Sequence, residues 1–168
     1  MPFTPFHFGP AAVVKALIPR SFSLTAFIAS QVLIDLESGY HLLRHEWPVH
    51  RVAHTLPVAT AIGVLSGTLV YVAGRWLRPF ARVEAHAELR PLAAHVGGLV
   101  GGLSHPLLDG IMHRDIRPFW PISDANPLLG TVDLMTLHVA CLASGVVGIG
   151  LLAARLLARR RAEGNPPP

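Results

Sequence analysis

Three stretches of this chain carry no Asp, Glu, Lys or Arg: residues 55–74, 91–108 and 134–154, of 20, 18 and 21 residues. Each approaches the roughly 20 residues with which a helix crosses about 30 Å of hydrocarbon. Two shorter runs come first, residues 1–14 and 21–34, 14 residues each, parted by Lys15 and the Ile18-Pro19-Arg20 break. At about 1.5 Å per residue such a run covers only about 21 Å. The pair predicts a short helical hairpin that spans only if its polar flanks join in. The pattern as a whole predicts an all-α fold, a polytopic membrane helical bundle with a short N-terminal hairpin and three longer transmembrane helices. Residues 1–161 form one integral-membrane domain in this reading, and 162–168 a disordered tail.

Local signals agree with that division. The links carry turn chemistry at Pro19, Pro48, Arg78-Pro79, Arg90-Pro91 and from Pro118 to Pro127. Small residues four apart, at Gly97/Gly101, Gly98/Gly102, Gly63/Gly67 and Ser144/Gly148, predict helices whose backbones approach closely. The opening lacks the basic start and cleavage pattern of a secretory signal, so it is expected to be retained.

Composition strengthens the membrane reading and narrows the chemistry. Of 168 residues, 51% are hydrophobic and 14% charged, with mean hydropathy +0.46, which excludes disorder and an ordinary soluble domain. The net charge of +4 sits in short clusters between apolar runs, so no nucleic-acid partner is expected; the lipid bilayer is. The Arg159-Arg160-Arg161 run reads as an anchor near anionic lipid. The single cysteine, Cys141, excludes both an internal disulfide and a thiolate zinc ribbon. Any metal must therefore use His and carboxylates, and ten histidines are available.

Counting basic residues orients the bundle. With the turn near Lys15 and Arg20, the link from Arg75 to Arg90 and the tail after Arg155 on one side, that side holds ten and the other four. The ten-residue side is cytoplasmic by the positive-inside bias. The loops 37–53 and 113–130 then face outward, and the location expected is a bacterial inner membrane. On the outward side fall His7, Asp35, Glu37, His50, His54, His105, Asp109 and His113, from four segments far apart in sequence. The cytoplasmic side receives only His86 and His95.

The spacings suit a cation. His105 and Asp109, at i and i+4, stand one helical turn apart on one face; His113 extends the stripe, and His50/His54 repeat the interval. Zinc-like ions take imidazole nitrogen and carboxylate oxygen, and ionisable groups bordering apolar helices are expensive unless used. His7, Asp35, His54, His105 and Asp109 are the candidate metal ligands, with His50 and His113 as further ligands. His95 and His138 read instead as helix-packing groups, His41 and His45 as surface groups, and Trp47, Phe119 and Trp120 as an interfacial belt. Pro106, directly after His105, predicts a kink that opens the site.

These motifs, in this order, resemble the membrane-bound metal-dependent hydrolases of bacterial inner membranes, some described as LexA-binding. The resemblance rests on Thr4-Pro5-Phe6-His7, Asp35-Leu36-Glu37, His50-Arg51-Val52-Ala53-His54-Thr55, His105-Pro106-Leu107-Leu108-Asp109 and the closing Arg117-Pro118-Phe119-Trp120-Pro121. It covers residues 4–121, and departs from the family at Glu37, where Asp is usual. A more distant likeness is to zinc-dependent phospholipases C and related nucleases, which use three metals and two H-x-x-x-D/E pairs; this chain has one such pair. The resemblance implies a hydrolase of an ester or phosphoester, with a lipid-linked substrate, one or two divalent ions of zinc type, Glu37 as general base, and Arg51 or Arg114 neutralising a phosphate. The alternatives are a membrane scaffold or regulatory protein with a structural metal, and a transporter. A transporter would place its polar groups near the bilayer midplane, and here they lie at helix ends. Nothing in the sequence sets the oligomeric state.

Overall fold

The computed structural model describes residues 4–77 and 87–164. His86, Arg78 and Arg82 lie outside the described residues, as does 165–168 of the expected tail. Five α-helices account for most of the described chain, with no strand among the described residues: α1 (Phe8–Leu17), α2 (Leu24–Leu43), α3 (Leu56–Leu77), α4 (Pro91–Met112) and α5 (Leu134–Gly164). Single 3-10 turns at Thr4–His7 and Val52–His54 lead into α1 and α3.

The apolar runs locate four helix starts to within a few residues but misplace several ends. The run ending at Ile34 continues as helix to Leu43, because Asp35 and Glu37, each only partly exposed, find partners within the protein: Asp35 stands 3.6 Å from His54 and Glu37 accepts the Ala53 amide. The second arm of the expected hairpin is thus a full 20-residue helix, while the first, α1, is 10 residues long. The tail expected from 162 onward is helical as far as Gly164.

Of the three longer helices, two are long and apolar enough to cross a membrane, α3 and the 134–162 part of α5. The expectation of three is corrected for α4: its length suffices, at about 33 Å for 22 residues, but glycines and histidines dilute its hydrophobicity. α4 is the most enclosed element, packed between α2 and α3, and its small residues make that position possible. Gly98 and Gly102 lie against the backbone of Gly63 and Ala59 in α3, while Gly97 and Gly101 lie against Ser23 and Phe27 in α2. A second close approach joins α1 to α5, where Gly9 faces the Cys141 carbonyl and Gly148 faces Ala12 and Val13.

Two polar links hold the helix ends. At the end expected to be cytoplasmic, Lys15 donates to the Pro19 and Phe22 carbonyls, at 3.0 and 2.8 Å, and pairs with Glu88. Beside it, the Ser23 amide donates to the Ala93 carbonyl at 2.9 Å, and the Ser23 hydroxyl caps α2 through the Ala26 amide. At the opposite end the Leu56 amide donates to the Pro118 carbonyl at 2.8 Å, tying the start of α3 to the aromatic turn. Apolar packing between these ends centres on Phe22, Phe27 and Ala11.

α4 runs without interruption through Pro106, which is buried. The kink expected there does not break the helix.

Candidate metal centre

The helix ends opposite Lys15 converge on a buried cluster of imidazoles and carboxylates. The 3-10 turn before α1 brings His7, the second half of α2 brings Asp35, the turn before α3 brings His54, and the last two turns of α4 bring His105 and Asp109. His7, His54, His105 and Asp109 are each 2% exposed or less. One ligand atom each from Asp35, His54, His105 and Asp109 lie within 4.8 Å of one another, and so do those of His50, Asp109 and His113. Asp109 belongs to both groups.

Inside the first group the rings and carboxylates stand at hydrogen-bond and ion-pair distances from one another. His105 Nε2 lies 3.3 Å from His54 Nε2, 3.2 Å from Asp35 Oδ1 and 3.3 Å from Asp109 Oδ2. His7 Nε2 stands 3.1 Å from Asp109 Oδ1. The His7 Nε2, His50 Nε2, His113 Nε2 and both Asp109 oxygens are buried with no hydrogen-bond partner. Burying so many polar atoms unsatisfied costs free energy at each one, and a shared cation is the simplest partner that satisfies them all.

Outer contacts dictate which nitrogen of each ring points inward. Gln31, fully buried in α2, donates its amide N–H to the Gly101 carbonyl at 3.0 Å, which turns its Oε1 the other way as an acceptor. That oxygen accepts from His7 Nδ1 at 2.9 Å and His105 Nδ1 at 2.6 Å. Both rings therefore carry their proton on Nδ1 and present a bare Nε2 to the cluster. Asp115 does the same for His50, accepting from Nδ1 at 3.0 Å as well as from the amides of Val49 and His50. Such oxygen–histidine pairs are the usual support of histidine ligands.

The loop groups are tuned in opposite senses. Burial, helped by the charge of His54, pushes His50 downward against the pull of Asp115, and burial with His50 beside it pushes His113 downward. Both rings are thereby kept neutral, the state that binds a metal. His54 is pushed upward: burial opposes this, but hydrogen bonding to Asp35 and then Glu37 outweighs it. Burial pushes Asp115 upward, but the His50 contacts outweigh it and hold the carboxyl below the usual carboxylate range.

The structure brings together His7, Asp35, His54, His105 and Asp109, with His50 and His113 beside them. Glu37 and Arg51 are placed differently from their expected roles. Glu37 Oε2 accepts the amides of Ala53 at 2.8 Å and Arg51 at 3.2 Å, and faces His54 Nδ1 at 3.9 Å. Its carboxylate holds the turn that carries His54, on the Nδ1 side of the ring. The Arg51 guanidinium is held by Glu46 at 2.9 Å and the Pro48 carbonyl at 2.9 Å, on the surface side of the turn. Arg114 instead lines a cleft with His50, His113, Trp47 and Asp115.

Histidines read as bystanders behave so. His95 Nδ1 contacts the Pro91 carbonyl at 2.8 Å and its Nε2 reaches Thr68 of α3 at 3.3 Å, His138 stacks on Phe6 at 4.2 Å, and His41 pairs with Glu46 at 2.8 Å. Sequence reasoning missed Gln31 and Asp115. Gln31 was detectable as the lone amide inside an otherwise apolar run; Asp115, in a loop of mixed charge, carried no signal. Replacing Gln31 with Leu, or Asp115 with Asn, is expected to lower metal affinity about 10- to 100-fold while the chain stays folded, as losing an outer hydrogen bond does elsewhere. Titration with zinc against a competing chelator measures this; unchanged affinity in both variants would deny these residues the supporting role.

Fold and site together define a small all-helical protein with membrane-spanning character and a buried histidine–carboxylate centre that could hold a metal ion. The chain belongs to the YdjM inner membrane protein family, whose model matches residues 9–164. No curated protein and no solved structure matches it. The family and the two apolar helices together support an inner-membrane location.

Proposed function

We propose that this protein is a membrane-bound metal-dependent hydrolase of an ester or phosphoester, its site at the outward face of the bilayer. The observation that carries the reading is the set of buried imidazole and carboxylate atoms gathered around Asp109, several of them with no hydrogen-bond partner. His54, His105, Asp35 and Asp109 would hold one divalent ion of zinc type; His50, His113 and the shared Asp109 would hold a second, with His7 beside them. A bound ion of this kind supplies an ionised water near neutral pH and polarises the oxygen of the bond to be cleaved.

The chain's own residues supply the rest. Gln31 and Asp115 fix three rings with Nε2 inward, and Glu37 fixes the turn that bears His54. Arg114, in the cleft beside His50 and His113, has no ion-pair partner among the described residues and would neutralise a phosphate oxygen. Helices α3 and α5 anchor the protein, and α2 and α4 complete the bundle with the site between their outward ends.

The decisive experiment couples metal content, read by elemental mass spectrometry on detergent-purified protein, to hydrolysis of a phosphoester and carboxylic ester panel. One or two equivalents of metal, with hydrolysis lost in Arg114→Ala while metal stays bound, supports the enzyme. Tightly bound metal with no hydrolysis across the panel turns the centre into a structural metal of a scaffold protein, and absence of metal after reconstitution removes the reading.

Orientation has its own test. In a Cys141→Ser background, Arg44→Cys in intact cells is expected to react with a membrane-impermeant maleimide, and Arg159→Cys only after lysis. The reverse pattern would place the site on the cytoplasmic side.

A further inference from the structure

The metal cluster also reaches the flank of α2, and what lies there names the kind of substrate. Val32, Leu36, Tyr40 and Leu43 form one stripe of α2, each more than half exposed. With Phe8 of α1 they line a groove of about 610 Å³, within the range of small-molecule sites. The walls are apolar except for Asp35, whose carboxylate stands 3.2 Å from His105 Nε2. A ligand of the metal cluster therefore forms part of the wall of a hydrocarbon groove.

Gly39 makes the groove deeper. It sits one turn beyond Asp35 in α2, and a Cβ added there would meet nothing within 4 Å. Gly63, Gly67, Gly97, Gly98 and Gly102 meet a neighbouring backbone, whereas Gly39, like Gly150, has no packing reason to be glycine, in a helix where glycine costs about 1 kcal/mol. Its effect is to keep open the space along the stripe.

We propose that the groove between α1 and α2 holds the hydrocarbon chain of a lipid whose ester or phosphoester group lies at Asp35, so that substrate enters sideways from the bilayer. The proposal rests on the hydrolase reading for the fate of that group. Binding of the chain itself rests on the groove alone. A second helix seated on the stripe would cover Asp35 and close the cluster on this side, whereas a single lipid chain leaves the carboxylate facing its polar end.

The test uses the full chain in phosphatidylcholine nanodiscs containing a rising fraction of phosphatidylglycerol with a diazirine in its acyl chain. After illumination, adducts are mapped by peptide mass spectrometry and metal is measured on the same samples. Adducts at Val32, Leu36 and Tyr40 are expected to saturate, while those at exposed Leu65 and Leu69 of α3 rise in proportion to the probe. Gly39→Phe, with Leu36→Trp as a second filling variant, should raise half-saturation about tenfold, the about 1.4 kcal/mol of two displaced methylenes, with metal content unchanged. Proportional labelling of α2, filling variants without effect, or dimers crosslinked through the stripe in place of lipid adducts would each overturn the groove. Saturable labelling in a protein without metal would leave the groove standing and remove the hydrolase; metal without saturable labelling would do the opposite.

Discussion

Asp109→Asn is expected to abolish metal binding altogether, where His105→Ala or His113→Ala removes only part of it. Asp109 is the one residue common to both ligand groups, it is 1% exposed, and both its oxygens lack any hydrogen-bond partner. Asn keeps the volume and shape, so packing against His7 and His105 is retained, but it removes the charge and one acceptor. The expected loss exceeds the about 100-fold that disturbing a supporting residue produces, because a charged ligand is taken from two positions at once. Elemental analysis should find no bound ion in Asp109→Asn, and one equivalent less than wild type in each single-histidine variant. A folded Asp109→Asn protein that retains the wild-type stoichiometry would show that the two groups are not joined through this carboxylate.

The second large effect is on the bundle. Gly98 packs against the carbonyl of Gly63 and the amide of Gly67, and a Cβ at position 98 would collide with that backbone. The obstacle is main chain on both sides, so the helices must move apart. Gly98→Ala is expected to cost about 1–3 kcal/mol, the usual penalty of overpacking, and to lower the melting temperature by roughly 2–12 °C for a chain of this size. Metal affinity should fall with it, since α3 carries His54 at its entrance and α4 carries His105 and Asp109. Gly150→Ala is the control: nothing lies within 4 Å of its added Cβ, and it should gain about 0.5–1 kcal/mol from helix propensity. Melting followed by circular dichroism in detergent separates the two. If Gly98→Ala melts like wild type, the close approach of α3 and α4 does not hold the bundle together.

Much of this architecture could be read along the chain because hydrophobic length and small-residue spacing are local properties. The starts of α3, α4 and α5 fall at the edges of charge-free runs, and the four-residue glycine steps lie where backbones touch. Reading a charge as the end of a helix failed for α2, since Asp35 and Glu37 find partners in the protein's own polar centre and the helix runs on past them to Leu43. The same charge rule shortened α5, whose last turns carry Arg159 to Arg161 without breaking.

By itself, then, the sequence determined a helical, membrane-type protein and named the His and Asp residues that could meet a cation. Hydropathy and i, i+4 spacing act within one segment, so no folded neighbour is needed to see them. Only the tertiary structure decided which of those residues share a site, that Asp109 joins two ligand groups, and that Gln31 and Asp115 set the imidazole orientations. It also showed Glu37 and Arg51 bonded to the turn that carries His54. These depend on directions and distances between segments, such as the 2.6 Å from His105 to Gln31 across 74 residues of chain. Helix packing creates them, and no pattern along one strand of sequence encodes which side of a ring another helix will meet.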